Sequence, residues 1–138
     1  MAEILGIGID MVDIDRIRAL REKHGDRFQS ILFLPDEAAY CMQRANPDEC
    51  FAARFAAKEA VMKALGTGWA HGVSFTGIEV VRQEDGRPEI RLHGKTARCA
   101  RERHAGKIHL TLSHAREAAI AQVIIEKLES GESGRYHV

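Results

Sequence analysis

Two carboxylates and two lysines stand in this sequence where chemistry on a phosphate would need them. Asp10 closes the segment Gly6-Ile-Gly-Ile-Asp10, and Glu59 lies between Lys58 and Lys63 in Arg54-Phe-Ala-Ala-Lys-Glu-Ala-Val-Met-Lys-Ala-Leu-Gly-Thr-Gly68. Magnesium takes one or two protein carboxylates and fills the rest of its shell with phosphate oxygens and water. Asp10 and Glu59, drawn from distant segments beside a cation, are therefore the best candidate pair. Lys58 needs a separate reason. At about 100° per residue, Phe51, Phe55, Met62 and Leu65 share one helical face, and Lys58 projects from among them. An ammonium there must run its stem along the apolar surface or meet an anion. Glu59 precedes Lys63 by one turn, and a solvated pair at that spacing is worth only about 0.2–0.5 kcal/mol. Gly6-x-Gly8 lacks the third glycine of a dinucleotide fingerprint and Gly66-Thr-Gly68 is not a P-loop, so each alone reads as turn or packing glycines. Ser113-His114 has no third orienting group, and neighbours on a strand face opposite ways, which argues against a serine hydrolase.

The elements that must position these residues follow from local pattern. Residues 4–12 alternate as a strand, with Ile7, Ile9 and Met11 on one side and Gly6, Gly8 and Asp10 on the other. Asp13 is placed to cap a helix running to about Lys23, with Val12 set against Ile17. That helix and the segment after it carry Arg16, Arg18, Arg21, Lys23 and Arg27. Pro35-Asp36-Glu37 has the chemistry of a helix first turn, and the pattern runs to about Arg44 before Asn46-Pro47 interrupts it. A long helix then spans about Asp48 to Leu65, with Gly66 able to supply a left-handed cap. Residues 73–82 and 89–92 read as a hairpin about the turn at 84–88. A short helix is predicted over 95–104, and two more strands over 107–112 and 118–126. Helices grouped early and antiparallel strands grouped late indicate an α+β fold.

Composition sets the bounds. With 138 residues, 45% of them hydrophobic, the chain suits one core, and a single domain is expected over 1–128 with a flexible polar tail over 129–138. Acids and bases balance at 20 each, which argues against nucleic acid or membrane as a partner held by bulk charge. Glu3, Gly6, Gly8 and Asp10 interrupt the N-terminal apolar run, so no signal peptide is read there, and no membrane span is found. A soluble, cytoplasmic protein is expected. Three cysteines, Cys41, Cys50 and Cys99, are odd in number and lack C-x-x-C spacing, so they are read as cytosolic thiols rather than a disulfide framework or zinc site.

Three ordered motifs, Gly6-Ile-Gly-Ile-Asp10, Arg54 to Gly68, and Leu112-Ser-His-Ala-Arg-Glu followed by Ala-Gln-Val, resemble those of the holo-[acyl-carrier-protein] synthases, small 4'-phosphopantetheinyl transferases. The similarity extends from about residue 4 to residue 128. The resemblance implies a long helix on an antiparallel sheet, a homotrimer with each active site between two subunits, and transfer of phosphopantetheine from coenzyme A to a serine of apo acyl carrier protein in fatty-acid biosynthesis. It implies magnesium on Asp10 and Glu59, with Lys63 at the phosphates. Arg54, Lys58, Gly66, Gly68 and His114 fall where the family handles coenzyme A, and Arg16, Arg21 and Arg27 where it docks the acidic carrier protein. Ala45-Asn46-Pro47 stands where the family often has basic residues for the coenzyme's 3'-phosphate, leaving Arg44 as the nearest substitute. Two other readings compete: a catalytically silent module that binds carrier protein or nucleotide, and a small phosphohydrolase using the same carboxylates.

Overall fold

The structure is a computed structural model that describes residues 2–129. The polar tail predicted from residue 129 lies, from residue 130 onward, outside the described residues. Strand β1 (Ile4–Asp13) leads into helices α1 (Ile14–His24), α2 (Asp26–Leu32), α3 (Pro35–Met42) and the long α4 (Pro47–Leu65). A 3-10 turn at Phe75–Gly77 precedes β2 (Ile78–Arg82) and β3 (Pro88–Leu92), after which α5 (Gly94–Glu102), β4 (Ala105–His114) and β5 (Ala118–Lys127) complete the chain. β1, β5 and β4 form one antiparallel sheet in that order, and β2 pairs with β3 in a second. The α+β expectation holds, with the long helix laid on the three-stranded sheet.

The glycines of β1 explain how closely that helix lies. A Cβ on Gly6 would overlap the carbonyl oxygen of Ala64, and one on Gly8 that of Ala60. Glycine on the strand and alanine on α4 let the two backbones touch, and the adjoining β5 supplies Ala119, Ala121, Val123 and Ile125, all fully buried. Gly6-x-Gly8 is thus a packing device, and its register fixes where Asp10 ends up. Asp13 caps α1 as predicted, accepting from the backbone N–H of Asp15 at 3.0 Å, and Gly66 closes α4 with φ 75° in the left-handed region.

Three features depart from the sequence reading. α2 was not predicted: its N-terminal neighbour Gly25 offers no side-chain cap, and its stability comes from Phe28, which packs on Phe33 and Phe51 with ring centroids 5.6 Å away in each case. Residues 73–77 are not strand, because the backbone turns at Phe75–Gly77, where Gly77 lies against Thr96 too closely to admit a Cβ. Cys41 and Cys50 are joined in a disulfide, leaving Cys99 buried and free. An odd count excludes only complete pairing, and the return of α4 alongside α3 brings two cysteines nine positions apart to a Cα separation of 5.4 Å.

Candidate active site

β1 and α4 meet at their polar ends. Asp10, paired in register with Ala121, stands beside Lys63, whose Nζ donates to Asp10 Oδ1 at 3.1 Å and to the Ile9 carbonyl at 2.9 Å. Two of the ammonium's three hydrogens are so occupied. The Lys63 side chain is 53% exposed and that of Asp10 17%, so this edge is open to solvent and to a ligand. Glu59 precedes Lys63 on the helix by one turn and completes the cluster.

Glu59 is electrostatically uncomfortable. Burial raises its pKa above the ordinary carboxylate value and the charge of Asp10 raises it further, while a hydrogen bond from Trp69 and the charges of Lys63 and Arg16 compensate only in part. Two carboxylates of like charge, with one basic side chain pinned to the first of them, form a donor set that a divalent cation would relieve. Among the described residues no group of three or more His, Cys, Asp or Glu side chains gathers to hold a metal. The site therefore fits an ion that draws most of its shell from phosphate and water, as magnesium does, and does not fit a closed protein cage.

A family model of the 4'-phosphopantetheinyl transferase superfamily matches residues 6–123. The chain belongs to that superfamily. Among curated relatives of the transferase, the holo-[acyl-carrier-protein] synthase of Koribacter versatilis is 47% identical over 123 residues, 89% of this chain and 98% of that protein. Among solved structures, the holo-[acyl-carrier-protein] synthase of Neisseria meningitidis superposes with a TM-score of 0.84 at 35% identity, covering 90% of this chain and 99% of the other. The Bacillus anthracis enzyme of the same name, in complex with CoA (3',5'-ADP), gives 0.74 at 34% identity over 90% and 97% of the two chains.

In this transferase the remaining predicted residues divide. Lys58 is sealed from solvent: its side chain is 0% exposed, and Nζ gives its hydrogens to Glu37 Oε1 at 2.6 Å, the Leu32 carbonyl at 2.8 Å and the Phe75 carbonyl at 3.0 Å. The anion it required is Glu37, which also accepts from the backbone N–H groups of Leu34 at 3.0 Å and Val80 at 2.9 Å. Sequence reasoning missed this residue. The one available signal was its place three residues after Leu34, where a glutamate caps a helix start. Burial pushes the Lys58 pKa down and the charge and hydrogen bond of Glu37 oppose it. The pair knots together α2, α3, α4 and the 3-10 turn.

Arg54 and His114 lie away from the carboxylates. Both line an open groove of about 1500 Å³ between the start of α4 and strands β3 and β4, and Asp10, Glu59 and Lys63 are not among its walls. Arg54 is 3% exposed, with its guanidinium 4.4 Å from the Tyr40 ring centroid and its Nε without a hydrogen-bond partner among the described residues. Arg44 and Arg82 each approach the same ring at 5.6 Å. His114 pairs with Glu49 at 3.4 Å. Gly66 and Gly68, with φ 75° and 54°, shape the turn beyond Lys63.

Of the basic residues predicted to dock a carrier protein, Arg16 and Arg27 are exposed, and Arg16 is near enough to act on Glu59. Arg21 is tied inward: its Nε donates to Asp48 Oδ1 at 2.7 Å, and Arg18 Nε to Asp48 Oδ2 at 3.1 Å. Burial alone would raise the Asp48 pKa, but the Arg21 and Arg18 hydrogen bonds outweigh it and hold the value low. Arg21 thus fastens α1 to α4, where an exposed docking residue was expected. No helix is long and apolar enough to cross a membrane among the described residues.

Proposed function

We propose that this chain transfers 4'-phosphopantetheine from coenzyme A to a serine hydroxyl of apo acyl carrier protein, in fatty-acid biosynthesis, releasing adenosine 3',5'-bisphosphate. Residues 1–128 act as one transferase domain in the cytoplasm. The observation that carries this reading is the open edge where Asp10, Glu59 and a half-exposed Lys63 converge, in a family whose Bacillus anthracis member is described in complex with CoA (3',5'-ADP).

Asp10 and Glu59 would hold magnesium, which when bound neutralises charge on the diphosphate. The chain's own groups do the rest. Lys63, oriented by Ile9 and Asp10, contacts the phosphates and steadies the departing nucleotide. Glu59, directly or through a water molecule, takes the serine proton. The serine oxygen bonds to the phosphorus that carries pantetheine, and the bond from that phosphorus to the bridging diphosphate oxygen breaks. Arg16 beside the site and Arg27 on α2 draw in an acidic helix of the carrier and set its orientation, speeding encounter more than adding affinity.

The active form is a homotrimer. Its support is the division of the site residues between the carboxylate edge and the arginine-lined groove, which one chain alone does not join. A neighbour's groove set against this edge would complete each site. The sheet face turned away from α4 also leaves Ile7, Ile9 and Met11 at 57%, 58% and 68% exposure, an apolar strip that a second copy would cover.

The test is the mass of apo acyl carrier protein incubated with the enzyme and coenzyme A, with magnesium or with chelator. Magnesium-dependent addition of phosphopantetheine is expected; no adduct on any of several carrier proteins overturns the reading. Coenzyme A cleaved with no acceptor present would favour the phosphohydrolase instead.

A further inference from the structure

Nothing in phosphopantetheine transfer uses the Cys41–Cys50 disulfide, yet its surroundings are specific. The two cysteines differ in access: Cys41 is 0% exposed, whereas Cys50 is half-buried and lines the groove. A reagent in the groove therefore meets Cys50 first. Arg54 Nη1 donates to Cys50 Sγ at 3.1 Å, and a guanidinium at that distance favours a thiolate. The segment closed by the bond contains Arg44, and both Arg44 and Arg54 lean on the ring of Tyr40, the residue before Cys41. The bond thus clamps the chain that carries one groove cation and touches the other.

We propose that Cys41 and Cys50 form a reversible dithiol–disulfide site, open from the groove to small disulfides and dithiols, whose state sets how firmly Arg44 and Arg54 hold an anionic group. The link to affinity rests on reading the groove as the place of the coenzyme's phosphate; the thiol chemistry does not. In oxidation the Cys50 thiolate attacks a low-molecular-weight disulfide, forming a mixed disulfide and expelling one thiolate. The Cys41 thiolate then attacks Cys50 Sγ and expels the second. The two protein protons pass to the released thiolates, so protein dithiol plus RSSR becomes protein disulfide plus two RSH. A low-molecular-weight dithiol reverses the sequence.

The two states differ in two ways that act in the same direction. In the disulfide form the segment from Cys41 to Cys50 is held, and Arg54 faces no competing anion from sulfur. On reduction the segment regains freedom, and a Cys50 thiolate takes up part of the Arg54 charge. Coenzyme binding weakens while the distant Asp10, Glu59 and Lys63 are untouched, so the change falls on KM for coenzyme A and not on kcat.

The full chain, equilibrated in glutathione buffers of graded potential, is alkylated under denaturing conditions and weighed, and coenzyme A binding to the fully oxidised and fully reduced protein is measured by calorimetry. Two of the three thiols become protected as the buffer turns oxidising, and reduction weakens binding by about threefold to tenfold, the scale set by losing a pre-ordered segment. The double variant Cys41→Ser, Cys50→Ser binds equally in both buffers. Three alkylated thiols in oxidised glutathione alone overturn the site. A bond that forms without changing the affinity overturns its coupling to the groove and leaves transfer intact. A protein that binds no coenzyme A in either state, although its thiols pair, overturns the coupling together with the phosphate reading.

Discussion

Lys58 and Lys63 leave the same helix less than two turns apart, each toward a carboxylate, and the two pairs are built for different ends. Lys58 and Glu37 are 0% and 1% exposed, with all three ammonium hydrogens and both carboxylate oxygens engaged. Lys63 and Asp10 sit at an open edge, with a second carboxylate, Glu59, whose burial and repulsion from Asp10 are offset only in part by Lys63 and Arg16. A sealed ion pair offers a ligand nothing, since its desolvation is already met by its own partners. An open cluster with uncompensated charge contributes little to the fold and keeps its binding capacity for what arrives. Charged residues of one helix divide between folding and reaction by whether every donor and acceptor is satisfied, and the presence of a charge alone does not decide it.

Breaking the sealed pair has the largest effect. Lys58→Met leaves Glu37 buried and unpaired, and chemical denaturation should show a loss of about 3–5 kcal/mol. Adding Glu37→Leu should recover part of that loss, as a coupled pair requires. Opening the comparison from the other side, Glu59→Gln should cost the transfer reaction about 10²–10³-fold in kcat, on the order of 2.7–4 kcal/mol, with the fold intact. Its thermal signature has a defined sign. The folded-state pKa of Glu59 is raised, so the carboxylate costs stability as pH rises from the unfolded value near 4.5 through the folded one. In chelator at neutral pH the glutamine variant should melt slightly above wild type, and magnesium should raise only the wild-type midpoint.

Gly8→Ala probes what brings the two regions onto one helix. Its Cβ would overlap the Ala60 carbonyl oxygen, so β1 must shift, at about 1–3 kcal/mol, and carry Asp10 away from Lys63. Stability and turnover should fall together, unlike either charge variant. The smallest effect belongs to Asp48→Asn, which loosens α1 from α4 by about 1 kcal/mol or less. The folded pKa of Asp48 is lowered, so its contribution is present above the unfolded value of 3.8 and lost as pH falls through the folded value. Acid unfolding curves of wild type and variant should converge below that range.

The open cluster was more legible in sequence than the sealed one, for a physical reason. Asp10, Glu59 and Lys63 each end or edge a regular element, and a strand alternation, a 3.6-residue period and a left-handed cap at Gly66 are local signals. Lys58 announced a need for an anion, but its answer, Glu37, lies in another helix, and only packing says that α3 crosses α4 there. Cys41 and Cys50 were likewise joined by a chain reversal that spacing does not encode. α2 lacks a side-chain cap and is held by Phe28 against Phe33 and Phe51, a tertiary cause. The extended reading of 73–77 failed because the backbone there turns so that the Phe75 carbonyl can reach Lys58.

The decisive measurement is turnover per folded molecule in the carrier-protein transfer assay, made side by side on Lys58→Met and Glu59→Gln under conditions where both are folded by circular dichroism. Lys58→Met should transfer phosphopantetheine at nearly the wild-type rate and Glu59→Gln at a hundredth of it or less. A folded Lys58→Met that has lost transfer, beside a Glu59→Gln that retains it, would contradict the division of helix α4 into a folding pair and a reacting one.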